Sequence, residues 1–122
     1  MKLIIAGSRT LDLGPDFIAQ YLGATGWNGV VIDEVVSGTA NGVDKTGEQF
    51  ADDCLIPVKR FPADWDTHGK AAGHIRNKQM ADYADALLLI WDGESRGSKN
   101  MKETMLKLGK PVYEVILKTH NV

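Results

Sequence analysis

The run of residues 85–93, DALLLIWDG, most constrains what this chain can fold into. Its apolar residues follow one another without the alternation of a strand that has one solvent-facing side, so both faces must be buried. Strands of this kind occupy parallel sheets that are covered by helices on both sides. The run therefore predicts a parallel sheet at the centre of the fold.

Strand-like runs alternate with helical patterns along the whole chain. The apolar runs predict strands at 2–7, 31–36, 56–61, 85–93 and 111–117. Apolar residues at helical spacing, together with capping residues, predict helices at 14–25, 41–55, 69–84 and 98–110. This order indicates an α/β fold, a single Rossmann-like domain over residues 1–122 with a mostly parallel five-stranded sheet and helices on both faces.

Charge and cysteine content exclude several classes of protein. The formal net charge of −2 gives no overall basic field of the kind that duplex-DNA binders show. No apolar run reaches 18 residues, so we expect no transmembrane helix and no membrane partner. The single cysteine, Cys54, allows neither an intrachain disulfide nor a cysteine-based metal cluster. We expect Cys54 to be a small packing residue of a helix, and the protein to be cytoplasmic.

Small and polar residues follow each of the first four predicted strands. The segments are GSRT (7–10), SGTANGVD (37–44), FPADWDTHGKAAGHIRN (61–77) and WDGESRGSKN (91–100), and each leads into a helix. In open parallel sheets such loops meet at the carboxyl edge, where ligands bind. Helix N-termini there offer free N–H groups and the positive end of the helix dipole.

Six cations of this acidic chain lie in or beside those loops: Arg9, Lys45, Lys70, Arg76, Arg96 and Lys99. The pattern predicts a site for a phosphate-bearing small molecule. Taken one at a time, each loop is better explained by turn-forming residues and solvated cations. The convergence of all four loops on one edge of the sheet favours the site.

The stretch SGTANG (37–42) places two glycines between a strand and a helix. We expect Gly38 and Gly42 to let the backbone approach a phosphate or a ribose, with Ser37 and Thr39 adding hydroxyl donors. The spacing matches neither G-x-G-x-x-G nor G-x-x-x-x-G-K-[ST]. It therefore indicates neither a standard dinucleotide-binding motif nor a P-loop.

Four segments together resemble the SLOG superfamily: Gly7-Ser8-Arg9, Ser37 to Asp44, Arg76-Asn77, and Ser95 to Ser98 as Ser-Arg-Gly-Ser. The resemblance is closest to its small stand-alone branch, which is similar to the Rossmann-like domain of DNA-processing protein A. It extends over nearly the whole chain, and the segment from Ser37 to Asp44 is its most specific part.

The resemblance implies a Rossmann-like fold and a site for a nucleotide or nucleotide-derived ligand at the carboxyl ends of the strands. The loops and the resemblance together give these candidate ligand-binding residues: Gly7, Ser8, Arg9, Ser37, Gly38, Thr39, Ala40, Gly42, Asp44, Arg76, Asn77, Asp92, Gly97 and Ser98. No cofactor is predicted. No protein metal site is predicted, because His68 and His74 are six residues apart and His120 is in the tail, and Mg²⁺ held only by a nucleotide's phosphates stays open.

Two functions of different kinds fit these residues. One is a binding module that senses or sequesters a nucleotide-like ligand, with Trp65 or Trp91 either stacking on a base or packing in the core. The other is a hydrolase of the N-glycosidic bond of a nucleoside phosphate, since a carboxylate stabilises the positive charge that develops on the sugar. The candidate catalytic groups are the carboxylates Asp44, Asp64, Asp92 and Glu94, with His68 and His74 as general acids.

The hydrolase alternative rests on a likeness to the LOG enzymes, which use a Pro-Gly-Gly-x-Gly-Thr-x-x-Glu segment. This chain has DGESRGSKNMKE at that place, without Pro-Gly-Gly and with Glu103 five residues after Ser98. A third alternative, single-stranded nucleic-acid binding, is disfavoured by the net charge of −2 and the aromatic content of 7%. Homo-oligomerisation stays open, since the stripe Met101–Met105–Leu108 suits a core or an interface.

Overall fold

The computed structural model describes residues 1–27 and 29–118, so His120 lies outside the described residues. Five parallel strands form one sheet in the order β3-β2-β1-β4-β5. The strands are β1 (Lys2–Gly7), β2 (Glu34–Ser37), β3 (Val58–Arg60), β4 (Ala86–Trp91) and β5 (Val112–Ile116). The predicted Rossmann-like α/β fold and its parallel five-stranded sheet are confirmed.

Helices connect the strands on both faces of the sheet. They are α1 (Pro15–Ala24), α2 (Val43–Asp53), α3 (Trp65–His68), α4 (Ala72–Tyr83) and α5 (Arg96–Lys107), with a 3₁₀ turn over Gly69–Ala71. None of the helices that the structure describes is long and apolar enough to cross a membrane.

The sheet has an apolar cluster on each face. On one face, Leu3 and Ile5 of β1 belong to the cluster that contains Ile18 of α1 and Phe50 of α2. On the other face, Ile4 belongs to a cluster with residues of α4 and α5. All six residues of β4 are buried, as its uninterrupted apolar run predicts.

The second strand begins three residues later than predicted, at Glu34. Val31 is 71% exposed and its carbonyl accepts a hydrogen bond from the N-terminal amine. The carboxylate of Asp33 pairs with the same amine at 2.7 Å. These contacts tie residues 31–33 to the start of the chain instead of to the sheet, although the β-branched residues favour a strand.

The predicted helix over 69–84 begins three residues later, at Ala72, because residues 69–71 form a 3₁₀ turn, and a separate short helix, α3, ends just before Gly69. Asp64 caps α3 by accepting the N–H of Thr67 at 3.1 Å, and Gly69 ends α3 with a φ of 55°. A left-handed conformation suits glycine and stops a helix. The prediction therefore missed α3, which has only four residues.

The residues that precede α2 and α5 are Gly42 and Ser95. The sequence favours Asn41 or a neighbour before α2, which Gly42 satisfies, and Ser98 before α5, which is instead a buried residue of the first turn. One packing prediction is also wrong. Cys54 is exposed at the C-cap of α2, so it is not the packing residue that the sequence predicts.

The methionine stripe of α5 belongs to the core. Met101 and Met105 are buried in the cluster on the α4–α5 face of the sheet, whereas Leu108 is 40% exposed. The chain leaves β1 toward β2 and β3 and later returns to β4 on the opposite side of β1. This reversal opens a crevice at the carboxyl ends of β1 and β4, which is where open α/β sheets bind ligands.

Candidate ligand-binding cleft

A cleft with two lobes lies at this crevice. The inner lobe has a volume of about 160 Å³ and the outer lobe about 310 Å³. Arg9, Gly38, Ala40 and Arg76 line both lobes, so the lobes adjoin. Predicted residues from all four loops meet in the inner lobe: Gly7, Arg9, Gly38, Ala40, Asp44, Arg76, Asn77, Gly97 and Ser98. The expectation that these loops converge is met for these nine residues.

The first turn of α5 provides the polar end of the inner lobe. Ser95, Gly97 and Ser98 line it, and the N-cap Ser95 makes no side-chain capping hydrogen bond. The carboxylate of Asp92 accepts the N–H groups of Glu94 and Ser95 at 2.8 and 2.9 Å and fixes the loop that enters the helix. A helix start of this kind offers backbone N–H groups to an anion.

The N-terminus of α2 is satisfied by the chain itself. The N–H of Val43 donates to the carbonyl of Ser8 at 3.3 Å, and Asp44 supplies a negative charge to the first turn. The first turns of α2 and α5 both line the inner lobe, and of these two described helix starts only that of α5 is free of an acidic side chain.

Two arginines stand between the lobes. Arg76 is half-buried, donates from Nη1 to the carbonyl oxygen of Gly38, and donates from Nε to Oδ1 of Asn77 at 3.1 Å. Burial lowers the pKa of Arg76, the carboxylate of Asp44 opposes this effect, and the nearby charge of Arg9 adds to it. Arg9 is exposed and forms no ion pair with the described residues.

Asp44 is a buried carboxyl group beside Arg76. It is 5% exposed, and its Oδ2 accepts the N–H of Ala40 at 3.1 Å. Burial raises the pKa of Asp44 to about 6, although the N–H of Ala40 and the charge of Arg76 both favour the carboxylate. Near neutral pH the inner lobe therefore contains a titratable acid.

Three of the predicted glycines, Gly7, Gly38 and Gly42, make room for the chain rather than for a ligand. A Cβ on Gly7 would overlap the carbonyl oxygen of Ile90, and a Cβ on Gly42 would overlap that of Ser8. A Cβ on Gly38 would lie 2.7 Å from Nη1 of Arg76 and 2.9 Å from Oδ2 of Asp44. Gly38 thus lets the Arg76 and Asp44 side chains approach, and Gly42 lies outside both lobes.

The two predicted serines, Ser8 and Ser37, bond to the chain itself. Ser8 and Ser37 are buried and line neither lobe. The Ser8 hydroxyl accepts the N–H of Asp92 at 3.0 Å. The Ser37 hydroxyl donates to Glu48 at 2.6 Å and accepts the N–H of Thr39 at 3.1 Å. Both serines hold the loops in place, and of the hydroxyl residues in segment 37–42, Thr39 alone lines the cleft, in its outer lobe.

Of the four candidate catalytic carboxylates, Asp44 alone lines the cleft. Asp64 caps α3, and hydrogen bonds from Thr67 lower its pKa. The N–H groups of Glu94 and Ser95 lower the pKa of Asp92, and Glu94 is exposed. The exposed residues His68 and His74 lie outside both lobes, as do Lys45, Lys70, Arg96 and Lys99.

The sequence did not predict the apolar part of the inner-lobe lining. Ala6, Met80 and Met101 form it, and all three belong to the apolar cluster on the α4–α5 face of the sheet. Their helical or strand spacing is that of ordinary core residues, so no pattern in the sequence distinguishes them. Pro62 and Ala63, which line the outer lobe, carry no recognisable signal either.

In the described part of the chain, no group of three His, Cys, Asp or Glu side chains is placed to hold a metal ion. Comparisons of the chain with protein-family models, with curated proteins and with solved structures give no match.

Proposed function

We propose that the protein binds a nucleotide or nucleotide-derived ligand in this cleft, as a sensor or sequestering module. The observation that carries the proposal is that the first turn of α5 and the guanidinium groups of Arg9 and Arg76 line the same lobe. Backbone N–H groups at a helix start and arginine forks are the donors that phosphate oxygens prefer.

The electrostatics of the inner lobe favour an added anion. Arg9 lies close enough to lower the pKa of Arg76, so the two guanidinium groups repel each other. Asp44 offsets part of this positive charge, and its carboxylate is disfavoured by burial. A phosphate between the arginines would relieve the repulsion. The resemblance to the SLOG superfamily supports a nucleotide as the bearer of that phosphate.

Replacing Arg9 with glutamine is expected to weaken the binding of phosphate-bearing ligands by at least about tenfold, because hydrogen bonds to charged groups contribute about 1.5–3 kcal/mol. Stability should change little, since Arg9 is exposed. The measurement is isothermal titration with the nucleoside mono-, di- or cyclic phosphate that most raises the melting temperature in a screen.

Arg96→Gln is the matched control for charge. Arg96 is exposed in the first turn of the same α5 helix and lines neither lobe. The proposal fails if no nucleotide at millimolar concentration raises the melting temperature. The assignment of Arg9 fails if both variants lose affinity equally, because the loss would then reflect net charge alone.

Gly97→Ala separates binding from folding. A Cβ on Gly97 meets no heavy atom within 4 Å, yet Gly97 lines the inner lobe at the start of α5. We expect unchanged or slightly higher stability, because alanine is the better helix former by up to about 1 kcal/mol. We expect weaker ligand binding, because the methyl group would stand where an anion meets the N–H groups. Equal affinity of variant and parent would remove α5 from the site.

The position of Asp44 favours hydrolysis of an N-glycosidic bond as a second candidate function. Asp44 is a carboxyl group in the cleft with a pKa of about 6, so it is largely ionised near neutral pH. A carboxylate there would stabilise the oxocarbenium-like sugar while water replaces the base. The test is chromatography of each protein–nucleotide mixture, in which release of free base supports hydrolysis and intact nucleotide refutes it.

A further inference from the structure

Two of the three tryptophans are accounted for by packing. Trp91 is 6% exposed, and its Nε1 donates to Glu114 at 2.7 Å. Of the two alternatives for Trp91, packing in the core therefore holds rather than stacking on a base. Trp27 is partly buried against the α1–α2 face of the core. Trp65 differs, because it is 52% exposed and lines the outer lobe. A tryptophan ring left half in water forgoes much of its hydrophobic stabilisation.

The ring of Trp65 is held at the mouth of the cleft. Asp64 caps the short helix that carries it, through the N–H of Thr67. On the side of α4, a Cβ on Gly73 would lie 3.6 Å from Cη2 of Trp65, which is ordinary van der Waals contact. Pro62 and Ala63, directly before α3, line the same lobe. The apolar side chains of Pro62, Ala63 and Trp65 thus stand beside the two arginines in the lining of the outer lobe.

We propose that the outer lobe binds a planar aromatic ring, stacked on Trp65, which belongs to the ligand whose anionic group lies in the inner lobe. This inference rests on the proposed function and narrows its ligand class. The ligand then joins an aromatic base to a phosphate, and neither inorganic phosphate nor a sugar phosphate uses the whole cleft.

Because the two lobes adjoin, one ligand can occupy both of them. Arg9 and Arg76 line both lobes, so a phosphate at these side chains lies at the boundary, within reach of the first turn of α5. Ligand sites for molecules of drug size have volumes of about 300–1,000 Å³. The inner lobe alone, at about 160 Å³, is too small for such a ligand, whereas the outer lobe adds about 310 Å³.

Stacking on Trp65 contributes more to affinity than to selectivity among bases. Base–aromatic stacking is worth about 1–3 kcal/mol per base and tolerates every base. Thr39 and Asn41 are the polar side chains that join the arginines in lining the outer lobe, and both are short. We therefore expect both purine and pyrimidine nucleotides to bind, and we expect purine nucleotides to bind more tightly because their ring face is larger.

The experiment compares adenosine 5′-monophosphate with ribose 5-phosphate, which lacks the base, by isothermal titration. Trp65→Ala is expected to weaken binding of the nucleotide by about tenfold or more and to leave ribose 5-phosphate unchanged. Trp65→Phe, which keeps an aromatic face, should retain most of the affinity. The parent should also lose tryptophan fluorescence on adding the nucleotide, and Trp65→Phe should not.

The outcomes separate this inference from the proposed function. Failure of both ligands to bind the parent protein overturns this inference, because stacking tolerates every base, and failure of every nucleotide in the screen overturns the proposed function as well. Binding of both ligands with equal affinity, unaffected by Trp65→Ala, leaves the phosphate site standing and overturns the stacking site. A change in the sedimentation of Trp65→Ala without a change in nucleotide affinity would assign the ring to self-association and equally overturn the inference.

Discussion

Gly7→Ala is expected to destabilise the protein by about 3 kcal/mol or more, at the upper end of the range for overpacked cores. The added Cβ would overlap the carbonyl oxygen of Ile90 and lie 2.7 Å from its carbonyl carbon. Gly7 and Ile90 are partners in the register of β1 with β4, the central strand pair. The obstructing atoms are backbone atoms, so relief requires the two strands to separate.

Urea denaturation monitored by circular dichroism measures the loss, and the melting temperature should fall by roughly 10 °C. Gly23→Ala is the matched control, because Gly23 is exposed in α1 and its Cβ would meet nothing within 4 Å. That variant should gain about 0.5–1 kcal/mol. Equal stability of the Gly7→Ala variant and the parent would contradict the close approach of β1 and β4.

The central sheet could be predicted because its signals are redundant. The run at 85–93 demands burial on both faces, and alternation with helical patterns demands parallel connections. The points at which strands begin and end are less constrained by these signals. Val30 and Val31 carry strand propensity but are exposed, since the N-terminal amine binds the carbonyl of Val31 and the carboxylate of Asp33. A long-range contact of this kind leaves no trace in a local pattern.

The place of the cleft could be predicted, but the roles of its glycines could not. Topology alone brings the loops after β1, β2 and β4 together, so the order of the elements is enough to predict where the cleft lies. Gly7, Gly38 and Gly42 seemed suited to a ligand, yet the atoms that require them are those of Ile90, Arg76 and Ser8. A sequence shows that a close approach is needed and cannot show what approaches.

Asp44 illustrates a further limit. Its position in the first turn of α2 suggests a residue that favours the helix dipole. Its burial, and with it the shift of its pKa, depends on the packing of Gly38, Ala40 and Arg76 around it. These residues come from different loops and from α4, so the property belongs to the folded arrangement.

The free energy of unfolding is expected to contain a contribution from Asp44 that falls by about 3 kcal/mol as pH rises from about 4 to above 6. The pKa of Asp44 is about 6 in the folded protein and 3.8 as the ordinary value of an aspartate. Between these values the folded state binds more protons than the unfolded state, so stability declines with rising pH. Below pH 4 both states hold the proton, and above 6 neither does, so the contribution is level outside this window.

Asp44→Asn removes this titration, and the measured quantity is the difference in unfolding free energy between parent and variant across pH 4 to 7. The parent should lose stability relative to the variant as pH rises, whatever the offset caused by losing the Arg76 partner. Asp92→Asn is the control of opposite sign, because the N–H groups of Glu94 and Ser95 lower the pKa of Asp92. There the advantage of the parent should stay level across pH 4 to 7 and shrink only as pH falls below the ordinary aspartate pKa of 3.8. If the unfolding free energies of the parent and Asp44→Asn change in parallel with pH, Asp44 ionises in the folded protein as readily as in the unfolded chain. That result would contradict the burial of Asp44 as the cause of a raised pKa.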